Sequence, residues 1–62
     1  MRITGRSVTD KERKKLTAMA EELGADEVTV GFMDAYDGYK TVWRTVARFF
    51  KDGQLIKWIS WE

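Results

Sequence analysis

The spacing of apolar residues changes once along the chain. In the first half, Leu16, Met19, Ala20 and Leu23 recur at helical spacing and form one stripe roughly 100° wide. Thr9 and Glu12 stand three residues apart ahead of that stripe, the pattern of a capping box. The hydroxyl of the first takes a backbone N–H of the first turn, and the carboxylate of the second reaches back. Asp10 suits the positive end of the helix dipole. Gly24 stands where a left-handed residue ends a helix. The spacing predicts a helix over Asp10–Leu23.

After Gly24 the period drops from 3.6 to 2. Val28, Val30 and Phe32 alternate with smaller or polar neighbours, in a stretch rich in β-branched residues. Asp37-Gly38 and Asp52-Gly53 are two-residue hairpin signals. Residues 39–51 lie between them and 54–62 follow. The elements therefore predict an α+β fold, one N-terminal helix packed on a three-stranded antiparallel meander (α-β-β-β). A short extended piece at residues 2–4 is compatible with the pattern. No repeat, low-complexity run or linker divides the chain, so residues 1–62 are expected to form a single small domain.

Two-residue loops fix a register. Phe32 then faces Trp43, Val28 faces Ala47 and Glu27 faces Arg48, an opposite-charge pair that favours this alignment. In the second hairpin Phe50 faces Leu55, Ala47 faces Trp58, Val46 faces Ile59 and Arg44 faces Trp61. Alternation puts Val28, Val30, Phe32, Trp43, Thr45, Ala47, Phe49, Ile56, Trp58 and Ser60 on one uncharged face, expected under the helix.

The other face carries Met33, Val42, Arg44, Val46, Arg48, Phe50, Leu55, Lys57, Ile59 and Trp61. A 14-residue helix is about 21 Å long. The middle strand would run about 40 Å at roughly 3.3 Å per residue. One helix covers one face, so the second is left without a cover, and a large exposed apolar patch marks an interaction surface. The expected partner-binding residues are Val42, Arg44, Val46, Arg48, Phe50, Leu55, Lys57, Ile59 and Trp61. Val46, Phe50, Leu55 and Ile59 form the dry centre, with Trp61 and Arg44 as anchors.

Composition narrows the chemistry. The chain has 62 residues with 11 Lys+Arg, 10 Asp+Glu and no His, Cys or Pro. Without Cys there is no disulfide, thiolate nucleophile or cysteine zinc site. Without His the usual general base and commonest metal ligand are missing. An enzyme is not expected, nor a cofactor or metal. Asp34 and Asp37 are explained by turn chemistry. A net charge of +1 is low for a dedicated nucleic-acid binder.

The function expected from the sequence is a non-enzymatic protein-binding module. It self-associates as a homodimer and acts as an accessory or inhibitor protein through the uncovered sheet face. In size alone it is comparable with small phage inhibitors. The alternative is nucleic-acid binding, with Arg44, Arg48 and Lys57 on phosphates and the aromatics on bases. A second basic cluster at Arg2, Arg6, Lys11, Arg13, Lys14 and Lys15 reads as a solvated helix face or an anion site at the helix N-terminus. No membrane span and no apolar signal segment is apparent, so a cytoplasmic setting is expected.

Overall fold

The computed structural model describes residues 1–36 and 38–61. Its element order is β1 (Arg2–Gly5), α1 (Asp10–Leu23), β2 (Glu27–Tyr36), β3 (Thr41–Lys51) and β4 (Gln54–Trp61). The class is α+β, with one helix on a sheet of order β1-β2-β3-β4. The meander is antiparallel, as the hairpin signals require. The residue 2–4 piece is a strand that pairs parallel with β2, so the helix lies in a β1-α1-β2 crossover and is not the first element.

Helix α1 has the bounds its caps dictate. Thr9 Oγ1 accepts from the Glu12 N–H at 3.1 Å, and Glu12 Oε1 accepts from the Thr9 N–H at 3.0 Å. Gly24 ends the helix with φ +73°. The core lies between α1 and one sheet face: Leu16, Ala20, Val28, Val30, Ala47 and Phe49 are each at most 1 % exposed. Ile3, Val8, Met19, Leu23, Ile59 and Trp61 close its rim.

The first hairpin is two residues out of the expected alignment. Val28 pairs with Phe49, Val30 with Ala47 and Phe32 with Thr45. β2 ends at Tyr36 and β3 begins at Thr41. Asp37, half of the expected turn and of the acidic pair with Asp34, lies outside the described residues. A two-residue slip leaves every side chain on its face, but it breaks the expected pair: Glu27 faces Phe50 and Arg48 faces Thr29. The alignment seats Phe49 opposite Val28, where it is 0 % exposed. Full burial of such a side chain stabilises by about 1.5–3 kcal/mol. A facing surface ion pair contributes about 0.2–1 kcal/mol, so packing wins.

The second hairpin turns at Asp52-Gly53 as expected, with both residues at positive φ (51° and 77°). Lys51 pairs with Gln54 and Phe50 with Leu55. The register then shifts: Phe49 pairs with Lys57, leaving Ile56 as the extra residue of a β-bulge. Beyond it every β4 side chain stands on the face opposite to the expected one. Ile59 and Trp61 turn to the helix and Trp58 and Ser60 turn away. Trp58 is 55 % exposed.

Candidate protein-interaction site

The bulge divides the expected partner-binding residues between two faces. Val42, Arg44, Val46, Arg48 and Phe50 alternate along β3 on the face away from the helix, and Leu55 pairs with Phe50 on that side. Lys57, Ile59 and Trp61 pair with Phe49, Ala47 and Thr45 and so stand on the helix side. Ile59 and Trp61 pack on the core, and Trp61 pairs with Thr45 on the face opposite to Arg44. Val46, expected at a dry contact centre, is already 1 % exposed in the single chain. It pairs with Gly31 and Ser60, which have almost no bulk. Arg44, Arg48 and Met33 stand on the same face beside it. Arg44 donates to the Ser60 carbonyl at 3.2 Å. The uncovered face therefore shields itself more than alternation suggests.

The larger apolar exposure lies elsewhere. Phe32 is 64 % exposed, Trp43 70 %, Tyr36 72 % and Tyr39 94 %. Phe32 and Trp43, expected under the helix, lie on that face but beyond the helix N-terminus. The sheet narrows there. β1 ends at Gly5, opposite Val30, and β4 ends at Trp61, opposite Thr45. β2 and β3 continue alone to Tyr36 and Thr41 as a two-stranded arm. Only glycine fits where β1 ends. Gly5 has φ +97°, and a Cβ there would sit 2.0 Å from the Val30 carbonyl oxygen. The Arg6 N–H closes the ladder on that same oxygen at 2.8 Å. The chain then leaves for the helix, and the β2 edge above is open.

A polar clasp sits at the root of the arm. The Arg6 guanidinium donates to Glu12 Oε2 (3.0 Å), to the Thr45 hydroxyl (3.0 Å) and to the Ser7 carbonyl (2.6 Å). The Trp61 indole N–H donates to the same Glu12 oxygen at 3.2 Å. The Thr9 backbone N–H, followed by Arg6 and Trp61, holds the Glu12 carboxyl below its ordinary value of 4.5, against a partial burial that works the other way. Arg6 also lies over the Phe32 ring, 5.3 Å from its centroid, a cation–π contact. Arg6 therefore serves the clasp, and the basic cluster at the helix start is reduced by one member.

Between Phe32 and Trp43 lies an open cleft of about 360 Å³. The arm's charges among the described residues are Asp34, Lys40 and Arg44, with no single sign. Among the described residues, no group of three or more His, Cys, Asp or Glu side chains is placed to hold a metal ion. Among the described residues no helix is long and apolar enough to cross a membrane. Strand length was the sequence signal for the arm: residues 39–51 outrun the helix. The overrun leaves the tip bare on the helix side as well as on the far side. Comparison with family models, curated proteins and solved structures finds no match to this chain.

Proposed function

We propose that the chain is a small non-enzymatic protein-binding module whose contact surface is the β2–β3 arm. The observation that carries this reading is the exposure of Phe32, Tyr36, Tyr39 and Trp43 together on the arm, which among the described residues neither the helix nor an outer strand covers. Aromatic residues are enriched at the centres of protein contacts. The mixed charge of the arm favours an apolar contact over a phosphate track, since each phosphate contact needs its own cation. The reading includes an accessory or inhibitory role in the cytoplasm. Leu55 and Trp58, exposed on the far face, extend the same surface chemistry toward the other end of β4.

The test compares the tagged wild type with a Phe32→Ser/Trp43→Ser variant in quantitative crosslinking from native host extract. Both side chains lie outside the buried core, so the melting temperature should stay within a few degrees. A partner, its own kind included, that is recovered with wild type and reduced at least about tenfold with the variant supports the reading. No variant-sensitive partner, or strongly salt-dependent oligonucleotide binding unaffected by the variant, overturns it.

A further inference from the structure

We propose that the arm's partner is a second copy of this chain, paired antiparallel through the open edge of β2 about a two-fold axis at Asp34. This rests on the protein-binding reading above and names the partner.

The backbone decides which residues offer hydrogen bonds. The Arg6 N–H bonds to the Val30 carbonyl, and the β2–β3 register runs unshifted from there to Tyr36, so from Val30 onward the even-numbered residues of β2 point their N–H and C=O away from β3. Above Val30 those residues are Phe32, Asp34 and Tyr36. No strand pairs with this edge among the described residues. A row of alternating donors and acceptors is complemented by another extended backbone. The β4 edge, by contrast, carries Lys57 and a bulge, two devices that discourage pairing.

Self-pairing matches side chains as well as backbone. The register that engages all three residues sets Phe32 against Tyr36 of the second copy, and Tyr36 against its Phe32. Both pairs lie on the helix-side face, where each ring is 64 % or 72 % exposed in the single chain. On the opposite face Met33 meets Ala35 of the second copy. Apolar meets apolar on both sides, and the two aromatic pairs flank the axis.

The surface area is consistent with a missing contact. The chain exposes 4597 Å². A folded monomer of 7.2 kDa is expected to expose about 4,100 Å². The surplus of about 500 Å² compares with the ~800 Å² per partner of a stable interface.

One feature opposes association. At the axis Asp34 faces Asp34 of the second copy, and like charges directly opposite destabilise a sheet. This sets a signature that a foreign strand would not reproduce. Sedimentation velocity on the full chain, from micromolar to millimolar concentration, should show a monomer–dimer equilibrium. Asp34→Asn should tighten it about 2- to 5-fold by removing the repulsion. Asp34→Pro should loosen it at least about tenfold, because the lost N–H serves only the intermolecular ladder. Should proline disturb the arm, Tyr36→Ala tests the same contact. It removes both aromatic pairs and should loosen the dimer about 2- to 30-fold. A monomer at millimolar concentration, or an Asp34→Asn dimer no tighter than wild type, overturns the pairing. A monomer that still captures another protein through Phe32 and Trp43 overturns the pairing alone and leaves the binding reading standing.

Discussion

Glu12 ties three parts of the molecule together. It caps its own helix through Thr9, holds Arg6 of the β1–α1 connection and accepts from Trp61 at the end of β4. All three donors favour the carboxylate over the neutral acid. The folded-state pKa is therefore depressed, and the stabilisation is fully present above the ordinary value of 4.5. It is lost as pH falls below 4.5 through the folded value. Melting temperatures of the wild type should fall over that interval. Glu12→Gln should be less stable at neutral pH and show a flatter acid limb, since an amide has no charge to lose. Parallel curves for the two proteins would remove Glu12 from the acid response. Thr45, the one buried polar residue among the described residues, is satisfied by Arg6, so the clasp leaves its hydroxyl partnered.

At the scale of elements, β4 shows what one residue does. Ile56 is the surplus residue of the bulge, and because strand side chains have period two, it moves Trp58, Ile59, Ser60 and Trp61 to the opposite face. Truncating the two tryptophans separates the alignments. Trp58→Ala should cost less than about 1 kcal/mol, as an exposed side chain. Trp61→Ala should cost about 3 kcal/mol, near the low end for a packed aromatic. For a domain of this size that lowers the melting temperature by roughly 12–24 °C. Equal or reversed losses would restore the straight register. The sequence contains no mark of the bulge, since neither Gly nor Pro interrupts residues 54–62. It is chosen by tertiary contacts, Ile59 on the core and Trp61 on Glu12. The helix is the opposite case. Its capping box and C-terminal glycine are local, so residues 9–24 carry the instruction themselves. The first hairpin lies between the two. Its faces were legible from alternation, but its register was not, because burial of Phe49 opposite Val28 outweighs the Glu27–Arg48 pairing.

The whole molecule is a four-stranded body with a two-stranded arm, and its extents of 37 × 25 × 18 Å reflect that elongation. Helix, β1 and β4 stabilise the body, whereas an isolated two-stranded ribbon is marginal in water. The arm should therefore open locally at a lower free energy than the body unfolds. The candidate site was half legible for this reason. Residue types and strand length announced exposed apolar surface, but where the outer strands stop depends on Gly5 and on the bulge. Hydrogen exchange reads both properties at once. In dilute solution the amides of Val28, Val30 and Ala47 should be the slowest, near the global limit. Met33 and Ala35, bonded to β3, should be intermediate. Phe32, Asp34 and Tyr36, pointing away from β3, should exchange at nearly the unprotected rate. Raising the concentration into the dimer range should slow those three amides selectively, by about the factor by which the dimer outweighs the free chain. The alternation distinguishes edge pairing from other contacts. A dimer made by stacking Phe32 and Trp43 faces would protect neighbouring odd and even amides alike. Protection that rises uniformly along residues 31–36 would thus point to ring stacking and away from a shared ladder.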